Sequence, residues 1–113
     1  DKGSIKMISE KIKNALADIS LQNYFITRAN DKAECIVYNY IEKPSRMADN
    51  EEKATLYTVM LNLYCKSNVE NNKKLIINAM QKAGFIRKSV ASTVVVDSGF
   101  FCTAITFAIS IDK

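Results

Sequence analysis

Nucleophilic catalysis by a thiol needs a base beside the sulfur, and this chain offers Cys35, Cys65 and Cys102 but no histidine. The three are odd in number and far apart, with no C-x-x-C pair. That spacing suits neither a disulfide framework nor a zinc site. Each falls in a strand-like stretch, where a free thiol behaves as a small buried hydrophobe, and free thiols fit a reducing compartment. General acid–base chemistry asks for positioned carboxylates. Asp18, Glu34 and Asp97 sit at element ends, where turns and caps use them. Glu51 and Glu52 are adjacent, but in a stretch read as a loop and poorly placed to hold a shifted pKa. The three glycines form no phosphate-cradling loop. These residues predict no enzyme, no metal and no cofactor.

Binding chemistry is the remaining option. Tyr24, Phe25, Tyr38, Tyr40, Tyr57 and Tyr64 fall on strands, as they would in a sheet that stacks bases. The basic, glycine- and phenylalanine-rich signature of such sheets is missing. The net charge is +4, and the lysines are spread out, with only Lys73–Lys74 and Arg87–Lys88 as doublets. Nucleic acid is therefore an unlikely partner on charge grounds. No apolar run approaches the roughly 20 residues that span a bilayer, no leader pattern is read at the N-terminal stretch, and no membrane partner is expected.

With 113 residues, 48% of them apolar and 25% charged, the chain suits one domain burying roughly 60–70% of its unfolded surface. Ile5, Ile8, Ile12, Leu16 and Ile19 mark one stripe of a helix over 4–19, with Ser4 as its N-cap. A brief strand follows over 23–29, then a turn at Asn30–Asp31–Lys32. The strand over 34–42 puts Ile36, Tyr38 and Tyr40 on one face and Cys35, Val37, Asn39 and Ile41 on the other.

Residues 43–53, KPSRMADNEEK, hold the only proline and no aromatic, and read as a flexible charged loop. In the strand over 54–65, Tyr57, Val59, Leu61, Leu63 and Cys65 make the stronger apolar face, opposite Leu56, Thr58, Met60, Asn62 and Tyr64. Ser67 and Glu70 form a capping box for the second helix, which should end at Gly84 with Phe85 folding back. Residues 86–91 lead into a strand at STVVV, and Asp97–Ser98–Gly99 turns into the last strand. There Phe101, Thr103, Ile105, Phe107, Ile109 and Ile111 oppose Phe100, Cys102, Ala104, Thr106, Ala108 and Ser110. The second set is small and polar enough to lie under a helix or at a subunit contact.

The fold class predicted is α+β: a mainly antiparallel sheet with two helices on one face, in the order α-β-β-β-α-β-β, forming a single domain over 1–113. Two helices cannot cover both faces of such a sheet. Uncovered apolar area marks an interaction surface, so the chain is expected to meet copies of itself as a ring or a dimer.

The segment YTVMLNLYCKSNVENNKKLIINAMQKAGF, residues 57–85, with its strand ending in LYCK and helix ending in AGF, resembles the tail terminator or tail-to-head joining (neck) proteins of long-tailed bacteriophages and prophages. The element order resembles theirs along nearly the whole chain. The resemblance implies a homo-oligomer, a hexameric ring seated on the tail tube, which stops tube growth and presents a surface to the head connector. It implies assembly in the bacterial host cytoplasm and residence in the virion. Its mechanism is binding, with sheet edges and hairpins packed against neighbouring subunits. Carried onto this chain, Lys43, Arg46, Glu51 and Glu52 would touch neck or tube partners, and Tyr38, Tyr40, Tyr57 and Tyr64 would lie at subunit contacts. The alternative is a small α+β module that binds nucleic acid or acts as a regulatory dimer.

Overall fold

In the computed structural model, residues 2–28, 33–48, 51–96 and 99–112 are described, with side chains left out at 2–7, 45–47 and 52. The elements are α1 (Lys2–Ala15), β1 (Gln22–Phe25), β2 (Cys35–Ala48), β3 (Glu51–Cys65), α2 (Val69–Lys82), β4 (Ile86–Val90), β5 (Val94–Val95) and β6 (Phe101–Asp112). The strands form one sheet in the order β1-β2-β3-β6-β4, with β5 also on β6. All pairings are antiparallel except β1 with β2. The architecture is α+β, as the residue patterns predict, and the segment 86–90, read as a lead-in, is a strand in its own right.

The alternating pattern of β3 and β6 builds the core. Val59, Leu61, Leu63, Ile105 and Phe107 are fully buried against Ile8 and Ile12 of α1, Leu16 just after it, and Ile76 and Met80 of α2. Both helices thus cover one face. Thr103 is polar but shares a 2.7 Å hydrogen bond with Thr93, which removes the penalty for burying its hydroxyl.

Helix ends show where local signals held. At the end of α2, Gly84 takes φ 99, its N–H donates to Gln81 O, and the Phe85 N–H donates to Met80 O. These paired bonds, with Phe85 buried, are the left-handed glycine stop that the sequence calls for. The start of α2 differs. Asn68, not Ser67, is the N-cap, in left-handed geometry with no side-chain cap bond, so the Ser67–Glu70 capping box is not formed. Ser4 lies inside α1, which begins at Lys2 and ends at Ala15. The turn expected at Asn30–Asp31–Lys32, and Asp97–Ser98 of the other turn, lie outside the described residues.

The segment read as a loop over 43–53 is mostly strand. β2 runs to Ala48 and β3 starts at Glu51, paired as Met47↔Glu52 and Ala48↔Glu51 after register shifts around Arg46. Continued cross-strand pairing carries the charged sequence into extended backbone despite its poor strand propensity. The resulting hairpin makes the molecule 52 Å long against 23 Å in the other two directions.

One backbone outlier stands out. Ile26, at the exit of β1, has φ 70, and the Thr27 N–H donates to Phe25 O at 2.8 Å across it. This is a γ-turn of the strained hand, built on a β-branched residue that avoids positive φ. Ile26 is also exposed, so little packing would be lost with its side chain. Ile26→Gly is therefore expected to raise stability by about 1 kcal/mol. A thermal melt no higher than that of the parent would show that the turn carries no strain.

Candidate interaction surface

Strand pairing assigns the residues of β2 up to Pro44, and those of β3 and β6 opposite them, to a face. On the side away from the helices, cross-strand rows run Cys35–Tyr64–Cys102, Val37–Asn62–Ala104, Asn39–Met60–Thr106 and Ile41–Thr58–Ala108, with Ile86 of β4 beside Ala108. No charged residue occurs in these rows; the next row brings Lys43 beside Leu56 and Ser110. Antiparallel sheet faces that meet water ordinarily alternate to polar side chains. Here Ile41 is 61% exposed and Ile86 62% exposed, at opposite margins of one row. This uncharged, helix-free face is the most unusual surface on the molecule.

The connector after β1 reaches one end of that face. The Arg28 guanidinium lies 4.1 Å from the Tyr64 ring centre and 5.0 Å from that of Phe100, while Lys66 Nζ lies 5.2 Å from the latter. Cations over aromatic faces attract the ring quadrupole. The Arg28 guanidinium also donates to Ala33 O at 3.4 Å, and the Glu34 carboxylate accepts the Lys66 N–H at 2.7 Å. Burial pushes the Tyr64 phenol and the Cys102 thiol above their ordinary values, with Arg28 pulling against it. With Arg28 over Tyr64 and Phe100 buried, these rings offer no free faces for stacking nucleotide bases.

Of the tyrosines expected at subunit contacts, Tyr38 and Tyr57 are corrected by the fold. They lie on the helix-covered face, 0% and 1% exposed, and so cannot touch a neighbour. The Tyr38 hydroxyl lies under α1 near Ser9, without a well-formed hydrogen bond among the described residues. Tyr40 is half-buried at the margin of the core, its ring 5.6 Å from Phe25 and 5.9 Å from Tyr57. Tyr64 alone of the four is on the helix-free face.

Among the hairpin residues, Lys43 is exposed, and Glu51 pairs with Lys53 at 3.0 Å. The side chains of Arg46 and Glu52 lie outside the described residues. The residue pattern places Ile41 on the face of its strand opposite Tyr38 and Tyr40, and Leu56 and Met60 on the mixed face of theirs, without singling them out. Ile86 is missed because β4 reads as a lead-in.

Elsewhere, a groove of about 380 Å³ runs between α1 and α2, lined by Ala15, Ile19, Leu75 and Ala79 among others. Another of about 510 Å³ lies where Glu10, Lys11 and Asn14 of α1 face the end of β6. Among the described residues no three cysteine or carboxylate side chains gather as metal ligands would, and no helix is long and apolar enough to cross a membrane.

The surface and fold together describe an α+β sheet protein with one face under the helices and one helix-free face, buried at Cys35, Val37 and Ala108 and exposed at Ile41 and Ile86. No known family's sequence pattern matches the chain, and no curated protein matches it.

Proposed function

We propose that this protein is a structural assembly component that works by binding copies of itself and its neighbours. In the form suggested by its resemblance to neck proteins, it is a ring that caps a phage tail tube and joins it to the head connector. One observation carries the self-association: the uncharged helix-free face with Ile41 and Ile86 both largely exposed. Apolar area of this kind is favoured by covering it with another protein. A contact between two different patches of one chain closes into a ring when the rotation allows. The long β2–β3 hairpin adds reach toward tube or connector partners, with exposed Lys43 and Glu51 along it.

Light scattering on the eluting protein, with negative-stain microscopy, tests the reading. A ring of about six protomers supports it, following the closed symmetry expected of homo-oligomers. A dimer that shifts labelled RNA at moderate salt would favour the alternative module instead. Placing lysines at both exposed positions, Ile41→Lys with Ile86→Lys, is expected to abolish the assembly. The melting temperature should move little, because surface changes usually fall within about 0.5 kcal/mol. Retention of the parental mass in that variant would remove the face from the assembly.

A further inference from the structure

The open edge of β2 carries two devices that stop it from accepting another strand. β1 covers β2 only from Cys35 to Tyr38, which leaves the strand from Asn39 onward at the edge of the sheet. An unpaired edge is a template for strand addition and aggregation.

The direction of its amides follows from one bond. Tyr38 O accepts the Ile26 N–H at 2.9 Å, so Tyr38 faces away from β3. In an antiparallel strand, alternate residues share that direction. Tyr40, Glu42 and Pro44 therefore present their backbone groups outward. The Tyr40 N–H is already taken by Asn39 Oδ1 at 2.8 Å. Pro44 has no N–H to offer, and it stands in register with Thr55, before the first register shift. Among the described residues, this leaves Glu42 as the single outward donor between Tyr38 and Pro44.

The opposite edge has its own protections. β4 is five residues long, and the register slips at Lys88 between Arg87 and Ser89. Shortness, bulges and edge lysines are the usual ways of blunting an edge.

We propose that Asn39 and Pro44 act as guards that close the β2 edge to strand addition, confining association to the side-chain face of the sheet. The proposal goes beyond the assembly reading and does not depend on ring formation. It also separates this chain from a mechanism in which neighbouring subunits join by pairing at that edge.

The double variant Asn39→Ala/Pro44→Ala restores outward donors at residues 40 and 44. It is expected to lose its soluble species to larger, thioflavin-binding, β-rich material, read by sedimentation at matched concentration. Adding Glu42→Pro removes the neighbouring outward donor and should return the protein to the parental size. That rescue separates backbone pairing from any loss of polarity at residue 39. A double variant with parental far-ultraviolet dichroism and parental sedimentation would overturn the proposal, as would aggregation that Glu42→Pro leaves unchanged. If the double variant does not fold, Pro44→Ala alone decides the matter: β-rich association supports the guard, and a parental size distribution refutes it.

Discussion

Phe107→Ala is expected to lower folding stability by about 3–5 kcal/mol, the range for emptying an aromatic site in a packed core. Phe107 is fully buried, and its strand β6 lies between β3 and β4, so Phe107 pairs with Val59 on one side and Arg87 on the other. The surrounding strands are fixed by their ladders and are poorly able to collapse into the cavity. A domain of this size holds roughly 5–15 kcal/mol in total, so the loss is a large fraction of the whole. The natural control is Ile41→Ala on the other face of the same sheet, where an exposed side chain leaves no cavity. Urea titration of both would show a large midpoint shift for the first and almost none for the second. Equal shifts would mean that the two faces have been assigned the wrong way round.

The second large effect is a loss of stability in base. Burial pushes the thiols of Cys65 and Cys102 above their ordinary 9.0. It likewise pushes the phenols of Tyr38 and Tyr64 above 10.0. These groups are neutral when protonated, so as pH rises the unfolded chain releases its protons first. The unfolded state then binds fewer protons than the folded one, and stability falls with pH. The contribution is fully present below the ordinary thiol value and is lost as pH climbs through the raised values of the folded state. Four groups act in the same direction, so the losses accumulate. The urea midpoint should therefore drop as pH rises through about 9, where unfolded thiols are about half ionised. Replacing Cys65 and Cys102 together with alanine should flatten the early part of that drop. A midpoint unchanged through the thiol range would show that these side chains are not buried as described.

What could be read from the residues alone divides by the range of the forces involved. The stop of α2 at Gly84 was legible because a left-handed glycine and its Phe85 contact are fixed within a few residues. The alternation of β3 and β6 was legible because strand period is local geometry. Which alternating set meets the helices is a tertiary matter. Tyr38 and Tyr57 were sorted correctly with their strand neighbours, yet were expected at an outer surface and lie under α1 and α2.

The charged stretch 43–53 was misjudged for the same reason. Its composition argues for a loop, whereas the ladder already running along β2 and β3 extends through it. The Ser67–Glu70 box lost to Asn68, whose left-handed backbone starts the helix without any side-chain bond. The surface with Ile41 and Ile86 could not be assembled before it was known that β4 pairs with β6. These two residues lie in one row only because three pairings bring them there.

The strand order has a consequence for how the protein is made. β6 leaves the ribosome after β1 to β5, yet it takes the place between β3 and β4. Until it emerges, the nascent β2–β3 hairpin carries a bare inner margin with Val59, Leu61 and Leu63 uncovered. At ordinary elongation rates that interval lasts several seconds. The protections built into the finished sheet do not cover this margin, so slowing translation ahead of β6 should increase misassembly of the newborn chain.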